Sequence, residues 1–129
     1  MLLVFVEIKS TQMVFDYIAI RNQAIADVLS KLRERNYAFR FRRDAMSLYC
    51  FELNRLVRPD EFKVDEFFRF EVVFNPDADR ILFAISLSEG EKGFLIDACN
   101  VYTDNISVEM TRKLNNPLQL VVGTLTQQI

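Results

Sequence analysis

Hydrophobic and polar positions alternate through three successive runs, residues 62–74, 80–88 and 93–101. In the first, Val64, Phe68, Phe70, Val72 and Phe74 take the even positions, interrupted by Glu66, while Lys63, Asp65, Arg69 and Glu71 take odd ones. A period of two puts alternate side chains on opposite faces, so the pattern predicts a strand with one buried and one wet face. In the second run Ile81, Phe83, Ile85 and Leu87 oppose the smaller or more polar Ala84, Ser86 and Ser88. Asn75-Pro76-Asp77-Ala78-Asp79 joins the first two runs, and a segment with Gly90 and Gly93 joins the second to the third. Proline removes a ladder donor, Asn and Asp bond their own backbone, and glycine accepts positive φ. Links this short close hairpins, whereas a parallel return needs a much longer crossover, so the three runs predict an antiparallel meander.

Upstream the period changes. Across residues 13–36, Ile18, Ile25, Val28, Leu29 and Leu32 form a helical stripe, with Arg21, Gln23, Asp27, Lys31 and Glu34 mainly off it. Asn22 offers an alternative later start, and Asn36, which tolerates the left-handed conformation, marks the end. Residues 38–43 alternate Phe39 and Phe41 with Arg40 and Arg42, and residues 46–53 follow as a second strand after a turn at Arg43-Asp44. Arg58-Pro59-Asp60-Glu61-Phe62 reads as a tight corner or one helical turn. Ser107 is placed to cap a short helix that Asn115-Asn116-Pro117 stops. Residues 2–8 have strand composition, as an edge strand or a poorly ordered start, and residues 118–125 are apolar and β-like. The expected fold is α+β: an antiparallel sheet of about five strands, one long N-terminal helix on one face, and a short C-terminal helix. The expectation is a single domain over 1–129, with a core at about 22–115 and peripheral segments at 1–12 and 117–129.

Composition narrows the chemistry. Half of the 129 residues are hydrophobic, 12 of them Phe, which suffices for one buried core. The formal net charge of -2 argues against a general nucleic-acid binder. Histidine is absent, which excludes Ser-His-Asp hydrolysis, His-assisted cysteine catalysis and His-containing zinc sites within one chain. Cys50 and Cys99 both fall in predicted strands and read as buried free thiols. The apolar start lacks a basic leader and no later run could span a bilayer, so a cytoplasmic protein without membrane contact is expected.

Several segments recur in a known order: Leu32-Arg33-Glu34-Arg35-Asn36-Tyr37, Pro59 through Glu66, Arg69-Phe70-Glu71, Asn75 through Asp79, Ala84-Ile85-Ser86, and Gly93 through Ala98 with Val101-Tyr102. Together they resemble a group of short Bacteroidetes proteins commonly labelled phosphoribosylpyrophosphate synthetase, over about residues 22–115. The chain departs from that pattern at Asn36, at Val73-Phe74 and at Val108. The activity in the label has no support in the residues. A diphosphate-ribose site needs a strand ending in two acids and a turn whose amides cradle phosphate. The nearest segment, residues 94–103, has Asp97 as its one acid and lacks a Gly-Thr turn, and the chain has no Gly-rich phosphate loop.

The richest remaining signal is the basic aromatic run Arg35-Asn36-Tyr37-Ala38-Phe39-Arg40-Phe41-Arg42-Arg43. It departs from the RNA-recognition signature at Asn36, Arg40 and Arg42, and nucleic acid is not an expected partner. The acids Asp60, Glu61, Asp65 and Glu66 lack metal-ligand spacing, and Asp77-Ala78-Asp79 lacks the later ligands of a calcium loop. Glu66 interrupts an apolar face. It therefore needs an edge, a groove or an ion pair with an arginine, for which the 40–43 strand is the natural source. The leading expectation is a non-enzymatic interaction or regulatory module that binds a protein partner or itself, with no catalytic residue, metal or cofactor. The second is a phosphate- or nucleotide-type small-ligand protein using Arg40, Arg42, Arg69 and Glu66.

Overall fold

The computed structural model describes residues 3–6, 14–72, 75–99 and 106–114, with backbone alone at 3–6 and 14–16. The strands are β1 (Leu3–Val6), β2 (Phe39–Arg43), β3 (Leu48–Cys50), β4 (Arg55–Val57), β5 (Phe62–Val72), β6 (Arg80–Leu87) and β7 (Lys92–Ala98). Helix α1 spans Val14–Glu34 and α2 covers residues 108–114. The strands form one sheet in the order β1-β5-β6-β7-β2-β3-β4. The meander β5-β6-β7 is antiparallel as its short turns require, and so is β2-β3-β4. The two meanders meet at a parallel pair, β7 with β2, and β1 adds in parallel to β5.

Sequence pattern anticipates the meander and both helices but misses two things. The sheet is mixed rather than antiparallel, because each meander is locally determined while the joint between them is not. Its strands number seven among the described residues rather than about five. Arg55–Val57 is a further strand, too short to display a period, and Leu3–Val6 is an edge strand. Expected extensions to Phe74 and Val101, the Asn115-Asn116-Pro117 stop and the 118–125 segment lie outside the described residues.

Chain length forces the sheet to roll. Val57 ends β4 and Phe62 begins β5, yet five strand spacings separate these strands in the sheet. At about 4.8 Å per spacing a flat sheet would hold them about 24 Å apart. The connection covers at most about 19 Å when fully stretched, and its residues Pro59–Glu61 are coiled into a 3-10 turn. The rolled sheet therefore has an inner and an outer face. On the inner face Phe41, Leu48, Val57, Phe62, Phe83 and Leu95 pack with Met110 and Leu114 of α2. On the outer face Ile25, Val28 and Leu32 of α1 pack on Phe70, Leu82, Ala84 and Phe94.

With both faces covered, β6 does not keep the expected wet side. Leu82, Phe83, Ala84 and Ile85 are all fully buried. In β5 the register shifts between Val64 and Glu66, a bulge at Asp65 that reverses the phase of the alternation. Phe62, Val64 and Phe67 pack in the inner core, while Phe68 and Phe70 pack under α1.

Helix α1 starts at Val14 rather than at Asn22 and ends as its sequence predicts. Asn36 adopts φ 72°, the Tyr37 N–H donates to the Leu32 carbonyl and the Asn36 N–H to the Arg33 carbonyl, a Schellman closure. Arg21, placed off the apolar stripe by its charge, is buried and donates to the Ala78 carbonyl at 2.5 Å, tying α1 to the β5–β6 corner. At the other end of the chain, the Ser107 hydroxyl accepts the Met110 N–H at 3.2 Å, the expected cap of α2. The Lys113 ammonium donates to the Phe62 carbonyl at 2.6 Å, holding α2 against the start of β5. No helix among the described residues is long and apolar enough to cross a membrane.

At the parallel joint Phe39 lies opposite Gly93. A Cβ on Gly93 would sit 2.2 Å from the Phe39 carbonyl oxygen and 2.5 Å from the Phe41 ring, so one strand would have to move. Gly93→Ala is expected to cost about 3 kcal/mol. That lowers the melting midpoint by roughly 10 °C, measured by scanning calorimetry. An unchanged midpoint would mean that the joint yields.

Candidate functional site

Helix α1 leaves part of the outer face bare. Residues opposite one another in adjacent strands project to the same side. Arg40 is opposite Phe94, whose ring lies 5.7 Å from the Arg33 guanidinium of α1, so Arg40 projects to the helix side of the sheet. Arg42 is opposite Tyr49, and Tyr49 is opposite Leu56, which continues this side across β3 to the edge strand β4. Here large apolar side chains meet solvent: Phe51 is 43% exposed, Leu56 56% and Ile96 39%.

The arginines of the basic aromatic run lie flat on this surface. The Arg42 guanidinium stands 4.8 Å from the Tyr49 ring centre and 5.7 Å from that of Phe51, and Arg40 stands 5.3 Å from Phe51. Tyr49 and Phe51 meet edge to face at 5.2 Å. Glu52 accepts from the Arg40 backbone N–H at 2.7 Å and from its Nε at 2.8 Å. Partial burial pushes the Glu52 carboxyl up, but these two bonds outweigh it and hold the group below the usual carboxylate range. Arg42 Nε pairs with Asp44 at 3.2 Å.

The other two candidates lie elsewhere. Glu66 is opposite Ala84 and so on the helix side, but in β5, with β6 and β7 between it and Arg40. Its ion-pair partner is Arg35 at the end of α1, at 2.8 and 3.0 Å, and not an arginine of the 40–43 strand. The Arg35 hydrogen bonds hold the Glu66 carboxyl low, opposite to the raised value a general acid would need. Arg69 is opposite Ile81 and lies on the inner face, paired with Glu71 at 2.6 Å. Arg40 and Arg42 share one surface, and Glu66 and Arg69 do not join them.

A second polar cluster, absent from sequence reasoning, closes one end of the inner face. Arg43 Nε donates to Asp97 at 2.5 Å, and Arg69 lies between Glu71 and Asp79, the latter at 4.0 Å. These residues are far apart in the chain, and only the strand register brings them together. Asp79 is buried and accepts the Val72 N–H at 2.9 Å across the corner. Burial raises the Asp79 carboxyl despite that bond, and pushes the neighbouring Cys99 thiol up to about 11. Cys99 lies just past β7 and is half-buried, whereas Cys50 in β3 is fully buried as expected. A thiol with so high a value is not a nucleophile at neutral pH.

The acidic cluster also serves structure. Asp65, turned by the bulge, accepts from Tyr37 at 2.8 Å and from Ser86, and Glu61 accepts the Arg58 N–H at 2.9 Å. Among the described residues no group of three or more His, Cys, Asp or Glu side chains is arranged to hold a metal. A groove of about 530 Å³ bordered by Met46, Leu56, Pro59 and Ser107 contains none of the four candidates. Compared with known proteins, the chain matches no family model, no curated protein and no solved structure.

Asp79 allows charge and hydrogen bond to be separated. Its raised value contributes stability that is fully present below the unfolded carboxyl's value and lost as pH rises through the folded one. Asp79→Asn keeps an acceptor without the charge, so its stability relative to wild type should improve between pH 3 and pH 7. Asp79→Ala strands the Val72 N–H and should cost about 1–3 kcal/mol at either pH. Urea denaturation of both variants at the two pH values reads the difference. Identical behaviour of the two substitutions would refute this role.

Proposed function

We propose that this chain is a non-enzymatic interaction module, cytoplasmic in location, that contacts a protein surface through the bare outer face of β7, β2, β3 and β4. One observation carries the reading: Phe51 and Leu56 are exposed on neighbouring strands beside arginines already stacked on Tyr49 and Phe51. Aromatic residues and arginine are enriched where interfaces are buried, and contiguous exposed apolar side chains mark contact sites. An anion at Arg40 and Arg42 would have to displace Glu52 and Asp44, which already neutralise them, so the small-ligand reading is the weaker one. Our placement of the chain beside the short Bacteroidetes proteins rests on its sequence segments and adds no activity to this reading.

A photo-reactive phenylalanine analogue in place of Phe51 tests the surface in living cells, with the same analogue in place of the exposed Glu89 as control. Discrete cross-linked products from position 51 and none from position 89 are expected. Absence of products from position 51, or the same products from both, would count against the surface.

A further inference from the structure

We infer that the groove bordered by Met46, Leu56, Pro59 and Ser107 seats a segment of this same chain, residues 118–125, and that the seated segment covers the Leu56 end of the contact face. The covering role rests on the reading above, while the seat stands on the groove alone. The two most exposed large apolar side chains among the described residues belong to this place. Met46, 72% exposed, lines the groove, and Val108, 68% exposed, stands between the lining residues Ser107 and Glu109. Leu56 joins them from β4, the last strand of the sheet, whose outer edge has no neighbour among the described residues. An apolar groove beside an open strand edge suits an extended apolar segment, whose side chains fill the groove while its backbone pairs with the edge.

Reach and composition name the occupant. Both ends of α2 are pinned to the segments that border the groove. The Ser107 N–H donates to the Ala45 carbonyl at 2.7 Å, next to Met46, and Lys113 donates to the Phe62 carbonyl, just past the connection that carries Pro59. Helix α2 covers residues 108–114, about 10 Å at 1.5 Å per residue. Asn115, Asn116 and Pro117, all turn-forming types, separate Leu114 from Leu118. A reversal there lays residues 118–125 back along α2 toward its first turn, where Ser107 and Glu109 line the groove. The segment holds Leu118, Leu120, Val121, Val122 and Leu125 and no charged residue. The groove calls for none: Arg58 pairs with Asp60 at 3.4 Å, and Glu109 stands in the first turn of α2, where the helix dipole favours an acid. So short a tether gives the segment an effective concentration in about the millimolar range, far above that of a second copy in dilute solution. Seated over Leu56, it competes with a partner for that side chain.

A photo-reactive phenylalanine analogue in place of Met46, in the purified full chain at micromolar concentration, tests the occupant. The expected product keeps the mass of a monomer and joins position 46 to a peptide within residues 115–129. Leu120→Asp combined with Val122→Asp should reduce that product roughly fivefold, because an unpaired carboxylate is costly to bury. A melting temperature near that of the parent checks folding. The same two substitutions should raise the products from position 51 in cells about twofold, as the segment releases Leu56. Absence of any product on residues 115–129 overturns the seat. A product that joins position 46 of one chain to 115–129 of another overturns the same-chain occupant. Products from position 51 that stay constant once the position 46 product is lost overturn the covering role. If position 46 joins the segment while position 51 gives no products in either chain, the contact face falls and the segment keeps its groove.

Discussion

Four residues cannot cross the width of five strand spacings, and from that limit most of the architecture follows. Because Arg58 to Glu61 must carry the chain from β4 to β5, the sheet closes on itself until its two halves share a core. Closure creates a concave side small enough for Met110 and Leu114 of a single two-turn helix to fill. It also leaves a convex side too broad for one helix. Helix α1 settles where Phe70, Leu82 and Phe94 give it an apolar bed, and the remaining strands stay open. The bare face is a geometric remainder of the roll.

The two polar assemblies divide along the same line. Inside the roll, Arg43 with Asp97 and Arg69 with Glu71 and Asp79 bring opposite charges into register where water is scarce, which an unpaired charge could not tolerate. Outside, Arg40 and Arg42 stay extended over aromatic rings and keep much of their surface in solvent. The first arrangement fastens the fold. The same burial holds the Cys99 thiol protonated at neutral pH.

Local signals were legible in the sequence, and distant ones were not. The meander, the left-handed stop at Asn36 and the Ser107 cap each depend on a few neighbouring residues, and each stands where the pattern puts it. Arg55–Val57 went unread because three residues display no period. The Asp65 bulge misleads in a different way: even-position counting runs straight through a residue that reverses the phase, so Val64 and Phe68 read onto one face although they pack on opposite sides of the sheet. Arg40 and Arg42 were singled out from their own run, but Tyr49, Phe51, Leu56 and Ile96, which make a surface of them, arrive from other strands. Glu66 was recognised as needing a partner, while Arg35 was hidden because the helix end folds back over β5.

The parallel joint also bears on how the molecule is assembled in time. Each meander is built from near neighbours, but Phe39 reaches Gly93 only across the whole of β3 to β6. The entropic cost of closing a loop grows with its length, by about 0.6 kcal/mol per doubling. Pairs between neighbours in sequence therefore carry the smaller cost, and the joint carries the larger one. A ribosome delivers β2, β3 and β4 well before β7 exists, so the nascent chain holds one meander with both faces uncovered until the second emerges. Only a residue without a Cβ fits against the Phe39 carbonyl, so the late docking is held to the register that brings Gly93 there.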